Sequence, residues 1–271
     1  MRLTNLNLFL PRWTQALLLG GLLGVATLYA GMALHHHLML AKLEQSVDVA
    51  LDRTWADIEQ LLMEARDTLT MITPLAGLRC EPRVLDAMRR EVDLRQGIRA
   101  AFIMRDNGLG CSTYEGAFEV TTPASGAEQS GLRVMASDAT AAPPTLVHTL
   151  VSERYSINSV VSTEALTRAL RRSSEGVEMV LQAGDAYLDE TARGWERRRA
   201  LDLALHLDRH SPDQPLTLHG GLPTAHLMQV QQRELTMVLG RLMFISVLVT
   251  GLVFTALYNG AWLGGRQPQA G

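Results

Sequence analysis

The sequence predicts an α+β fold: a mixed helix and sheet body with a long N-terminal helix, flanked by two transmembrane helices. Three observations carry this. Two long runs, one near each end, hold no charged residue. After the first run, apolar residues recur at threes and fours. The middle of the chain then changes to short alternating runs broken by Gly, Asn and Pro.

Ala16 to Leu34 is nineteen residues without a charge, and Leu242 to Gly265 is a second such run. Each is long enough for a helix across a hydrocarbon core of about 30 Å. The first run exceeds the usual apolar stretch of a signal peptide, and no small-x-small cleavage site follows it, so it reads as an uncleaved anchor. Arg2 and Arg12 precede it with no acidic residue among them. Positive charge of this kind places the N-terminus in the cytoplasm. The expected division is a cytoplasmic N-terminus over 1–15, a first span over 16–37, an extracytoplasmic body over 38–237, a second span over 238–263 and a cytoplasmic tail over 264–271. In a bacterium this is a two-pass inner-membrane protein with a periplasmic body.

From His35 to about Ile72 the positions Leu40, Leu43, Val47, Leu51, Trp55, Ile58, Leu62, Leu69 and Ile72 predict one long amphipathic helix. Pro74 and Gly77 end it. Pro82 to about Leu94 predicts a second helix, with Pro82 in its first turn. Ile98 to Met104 predicts a strand. Asn107-Gly108 predicts a tight type I′ turn, with Leu109 to Thr113 as the returning strand. Gly116 to Gly131 reads as a loop, as does Thr140 to Pro144. Thr145 to Val151 alternates and predicts a strand. Ser162 to Arg172 predicts a short helix with Ser162 or Thr163 as its cap. Val177 to Gln182, Ala200 to Leu207 and Pro215 to His219 predict three further strands. Thr224 starts a helix that continues into the second span.

The net charge is −3. Binding to nucleic acid needs a basic patch or stripe, which the sequence does not show. No cofactor is expected. No Ser-His-Asp spacing, nucleophile elbow, phosphate-binding loop or paired-carboxylate pattern stands out. His35, His36 and His37 are consecutive, so on a helix they point about 100° apart and do not converge on one ion. His206 and His210 would share a metal only on a helix, and their segment reads as a strand. No metal site is therefore expected. Asp185, Asp189 and Glu190 around Tyr187 read as a solvated acidic loop. Gly20 and Gly24 form a small-xxx-small pair on the first span, a candidate contact between two copies.

The chain has two cysteines, Cys80 and Cys111. Outside the cytoplasm they are expected to be oxidised, and only one intramolecular pairing exists. It closes a loop of about 32 residues, worth on the order of 3–4 kcal/mol by loop entropy. On the residues alone, a structural staple and a redox switch both remain open.

The segment from Leu78 to Gly116, LRCEPRVLDAMRREVDLRQGIRAAFIMRDNGLGCSTYEG, resembles the CSS-motif periplasmic sensor domain found in EAL-type cyclic di-GMP phosphodiesterases. That family has a cysteine, a helix, a strand ending in a polar turn, then Cys-Ser-Ser and a nearby glycine. Here the last part reads Cys111-Ser112-Thr113 with Gly116 following; Thr113 departs from the pattern but keeps a hydroxyl. The resemblance implies that Cys80 and Cys111 form the switch, oxidised by the periplasmic thiol–disulfide machinery. It also implies that reduction favours a homodimer through the transmembrane helices and raises phosphodiesterase activity. The few residues after the second span leave no room for an EAL domain. The expectation is therefore a standalone regulator, one partner of a separate EAL-type protein, or a truncated frame. Glu164-Ala165-Leu166-Thr167-Arg168 spells the EAL signature by chance and reads as a helix start on the exposed side. The rival reading is an extracytoplasmic small-molecule receptor in which the disulfide only staples.

Overall fold

The computed structural model describes residues 12–106, 108–119, 130–135, 145–172, 176–190 and 203–263. Asn107, the tail and most of the segments read as loops around 123–131 and 140–144 lie outside these. The chain forms two compact units, residues 1–43 with 227–271, and residues 44–226.

The first unit is a helix pair. It holds the N-terminal part of α1 (Arg12–Ile72) and most of α4 (Thr224–Leu263). Both helices are long and apolar enough to cross a membrane. Leu18, Leu22, Val25, Phe244, Val247 and Leu252 are exposed, as lipid-facing positions are. Gly20 and Gly24 meet α4 of the same chain. Ser246 donates to the Gly24 carbonyl at 2.7 Å, and Thr250 donates to that of Gly20 at 3.2 Å. A Cβ on Gly24 would sit 2.2 Å from Thr250 Oγ1. The small-xxx-small pair thus permits close approach of α4 within the chain.

The second unit is the body. Along α1 the residues Val47, Leu51, Ile58, Leu62, Ala65, Leu69 and Ile72 are buried, at the spacing of one helical stripe. Thr73–Leu75 closes α1 as a 3₁₀ turn, and α2 (Pro82–Asp93) follows, burying Val84, Met88 and Val92. Two antiparallel sheets make up the rest. The first has the order β3-β2-β1-β6-β5-β4, from β1 (Ile98–Arg105), β2 (Leu109–Ser112), β3 (Gly116–Glu119), β4 (Gly131–Met135), β5 (Thr145–Val151) and β6 (Tyr155–Val161). The second has the order β8-β7-β10-β9, from β7 (Glu178–Ala183), β8 (Ala186–Asp189), β9 (Leu203–His210) and β10 (Leu216–Pro223). Helix α3 (Thr163–Arg171) joins the sheets, with Ser162 as its cap: Ser162 Oγ accepts from the Ala165 amide at 3.3 Å.

Strands β3, β4, β6 and β8 depart from the sequence expectation, β4 lying in a stretch that carries no predicted element. β3 lies inside the segment read as a loop, because Ser112 to Gly116 turns the chain straight back onto β2. β8 replaces the acidic loop: Asp189 pairs with Val180 and is 2% exposed. β6 was not anticipated at all, yet it lies in the middle of the first sheet. Its buried Ser156, Asn158 and Ser159 give it the look of a polar loop; Thr149 on β5 donates to Asn158 Oδ1 at 2.7 Å. At the β1–β2 connection the Gly108 amide donates to the Arg105 carbonyl at 3.0 Å and Gly108 has φ +76°; Asn107, on which the expected type I′ turn rests, lies outside the described residues.

His148 on β5 lies opposite Ser159 of β6. Burial, and then the charge of Arg66, hold its pKa below the ordinary 6.5. The folded body keeps this imidazole neutral, while the unfolded chain takes up a proton as pH falls through about 6.5. Stability is therefore present above that pH and is lost below it, until the folded protein also protonates. A His148→Gln variant is expected to show a smaller fall in melting temperature between pH 7.5 and 5.5 than the parent; an equal fall contradicts this.

Candidate functional site

Cys80 precedes α2 in the segment that follows the 3₁₀ turn. Cys111 lies on β2, between Ile103 of β1 and Ala117 of β3. The two are joined as a disulfide, with their Cα atoms 5.6 Å apart. The bond ties the connection between α1 and α2 to the first sheet. Its ends differ in environment: Cys111 is fully buried and Cys80 is half-buried.

Arg105 holds the Cys80 side of the bridge. At the end of β1 its guanidinium donates to the Ala76 carbonyl at 3.0 Å and also to the Leu78 carbonyl. Hydrogen bonds from a charged donor are each worth about 1.5–3 kcal/mol when formed. Arg105→Leu is expected to loosen the segment carrying Cys80 and speed reduction of the disulfide by a thiol probe at least threefold. An unchanged rate would show that the clamp is irrelevant to access.

Ser112, Thr113 and Gly116 hold the Cys111 side. Ser112 Oγ accepts from the Tyr114 amide at 3.1 Å, the local bond of a hydroxyl turn. Thr113 Oγ1 accepts from the Ala101 amide at 3.1 Å, and the Thr113 amide donates to the Ala101 carbonyl at 3.0 Å. Its hydroxyl thus stands in for a strand partner where β2 leaves β1. Gly116 has φ +82°, which side-chain-bearing residues rarely adopt, and this starts β3. Arg89 of α2 donates to the Thr113 carbonyl at 3.1 Å. The motif after Cys111 therefore builds the turn that seats β2 and gives α2 something to hold.

The profile of the CSS motif domain associated with EAL matches residues 43–235. The chain belongs to this family. The match begins within one residue of the body and runs past its end into α4. This CSS-motif chain matches no curated protein. Solved structures similar to it include three chemoreceptor domains. The ligand-binding domain of the Pseudomonas aeruginosa PAO1 amino acid chemoreceptor PctB, in complex with L-Arg, is 9% identical with a TM-score of 0.48, over 72% of this chain and 92% of that one. The sensory domain of the Campylobacter jejuni chemoreceptor Tlp3 (CcmL) is 7% identical with a TM-score of 0.46, over 72% and 97%. The Tlp3 ligand-binding domain in complex with 4-methylisoleucine is 8% identical with a TM-score of 0.43, over 74% and 92%.

The other residues singled out in the sequence fall elsewhere. Glu164 and Arg168 of the EALTR segment are exposed on α3 while Ala165 and Leu166 are buried, so the segment presents no set of metal ligands. His206 and His210 both lie on β9, and four strand residues span roughly 13 Å, too far to share an ion. His36 and His37 on α1 meet edge to face with ring centroids 6.5 Å apart. Missing from the sequence reading was a polar groove between α1, the residues before β1, and α3, lined by Asp57, Gln60, Glu64, Gln96, Arg168 and Arg172. Glu64 Oε2 accepts there from the Gly97 amide at 3.1 Å. These residues come from three segments far apart in the chain, and no local pattern announces them.

Proposed function

We propose that this CSS-motif chain is a membrane-anchored, extracytoplasmic thiol–disulfide sensor that regulates cyclic di-GMP hydrolysis. Cys80 and Cys111 are its switch. The body faces the periplasm, both termini face the cytoplasm, and the chain acts as a homodimer or with an EAL-type protein. The observation that carries the reading is the asymmetry of the disulfide. Residue Cys80 is half-buried and residue Cys111 fully buried, so a dithiol reductant is expected to attack from the Cys80 side, access being one of the factors that decide which sulfur is attacked. Its thiolate bonds to Cys80 Sγ, the Cys80–Cys111 bond breaks, and Cys111 leaves as a thiolate that takes up a proton. The second thiol of the reductant then attacks the mixed disulfide and releases Cys80. Two electrons and two protons pass to the pair, and the reductant becomes a disulfide. The association of the family with EAL supports the output. The two apolar helices support the anchoring.

The test is the cellular level of cyclic di-GMP in a host carrying an EAL-type partner. Wild-type chain is compared with the Cys80→Ser/Cys111→Ser double variant at equal membrane abundance, with and without the periplasmic thiol oxidase. Removing the oxidase is expected to lower cyclic di-GMP with the wild type and to change nothing with the variant. Equal responses would overturn the reading.

A second reading, a receptor for a small charged molecule, is favoured by the polar groove. Arg172 and Asp57 face one another there at 3.4 Å, offering one group of each sign. It predicts ligand-dependent melting that survives loss of both cysteines.

A further inference from the structure

We infer that His206, Asp208 and His219 form a binding site for a divalent transition-metal ion of the zinc class. The site is on the second sheet, distinct from the disulfide, and does not depend on the redox reading.

The sheet register brings the three together. His206 and Asp208 are two apart on β9 and so share a face. His219 on β10 lies directly opposite Asp208. His206 lies opposite Gly221, and its ring stacks on that of His219, with centroids 5.4 Å apart and planes 25° apart. Three donor atoms then converge. His206 Nε2 is 2.8 Å and His219 Nδ1 is 2.7 Å from Asp208 Oδ1, and the two nitrogens are 3.3 Å apart. Zinc at about 2.0–2.1 Å from each of three such atoms in tetrahedral geometry needs them roughly 3.3 Å apart. Small side-chain rotations reach that spacing. Two imidazoles and a carboxylate are a nitrogen and oxygen set suited to zinc.

The hydrogen bonds around His219 give a second, independent reason. Gln182 on β7 donates its Nε2 to the Gly184 carbonyl at 2.9 Å. Its Oε1 is thereby turned toward His219 Nε2, 2.8 Å away. A carbonyl oxygen only accepts, so His219 Nε2 carries the hydrogen. In the neutral ring Nδ1 is then a lone pair, and it faces the Asp208 carboxylate, another acceptor. An ion held there bridges His219 Nδ1 and Asp208 Oδ1, which lie 2.7 Å apart. Gln182 has the place of the outer partner that fixes the tautomer of a metal-bound histidine. His219 is 9% exposed, while His206 and Asp208 open to solvent and leave a route in and room for a further ligand. On the other face of β9, Arg209 is held by Asp48 and Asp52 of α1, which keeps His206 and Asp208 turned away from that helix.

The test uses the full chain in detergent, metal-stripped and without a histidine tag, titrated with Zn²⁺ by calorimetry and with Co²⁺ by visible absorption. His35→Ala/His36→Ala/His37→Ala serves as the background, so that the other histidine cluster does not contribute. One ion per chain is expected, with tetrahedral Co²⁺ bands. Affinity should fall at least 100-fold in Asp208→Asn and His219→Gln, and about 10- to 100-fold in Gln182→Ala. No binding, or affinity unchanged in Asp208→Asn and His219→Gln, overturns the proposal. Should a variant fail to fold, the background protein decides alone by nitrogen NMR. A shift of the His219 Nδ1 resonance on adding Zn²⁺ supports the site. An imidazolium signature unchanged by Zn²⁺ means that a proton occupies it and refutes the metal.

Discussion

Cys111→Ser is expected to lower the stability of the body by at least about 3–4 kcal/mol. The disulfide closes a segment between residues 31 apart, and loop entropy alone assigns about that much to it. The serine adds a second cost, because position 111 is fully buried between β1 and β3 and a hydroxyl there has no assured partner. An unsatisfied buried hydroxyl costs about 1–3 kcal/mol. Cys80→Ser removes the same bond at a half-buried position and should cost less. Urea unfolding of the full chain in detergent, followed by circular dichroism, compares the two. Equal losses would show that the burial of Cys111 does not matter; losses below about 1 kcal/mol for both would show that the bridge is not a staple at all.

Ile58→Ala is expected to cost about 2–5 kcal/mol, the range for removing a large buried aliphatic group and leaving a cavity. Ile58 is fully buried on the stripe of α1 that also carries Leu51, Leu62 and Ile72. That stripe fastens α1 to the body, and α1 runs unbroken from Arg12 to Ile72. The same urea experiment reads the loss. A loss under about 1 kcal/mol would mean that α1 contributes little to the core of the body.

These two residues also show what the sequence could and could not reveal. Ile58 was legible because helical burial repeats every three or four residues, and the stripe from Val47 to Ile72 follows that rule without interruption. α2, α3 with its Ser162 cap, β1 and β5 were legible for similarly local reasons. β6 was not, because a strand buried in the middle of a sheet needs no alternation, and Ser156, Asn158 and Ser159 disguise its apolar residues. β3 and β8 are short edge strands whose pairing comes from the neighbour they fold back upon. The division into two sheets depends on long-range register that no window of sequence contains. At the candidate site the two cysteines were visible from their scarcity, but the supporting roles of Arg105 and Thr113 arise from contacts to Leu78 and Ala101, which lie 27 and 12 residues away. The His206, Asp208 and His219 cluster was hidden for the same reason. The visible spacing joined His206 to His210, whereas the strand partner of Asp208 is His219.

The central claim is that the Cys80–Cys111 bond is a switch and not only a staple. The most direct measurement is a redox titration of the full chain in detergent, with thiol trapping resolved by mass and oligomeric state recorded at each potential. The account predicts that the bond reduces above about −250 mV, that the monomer–dimer balance shifts with it, and that the body stays folded. A bond that survives below about −300 mV, or whose loss only unfolds the body, would contradict it.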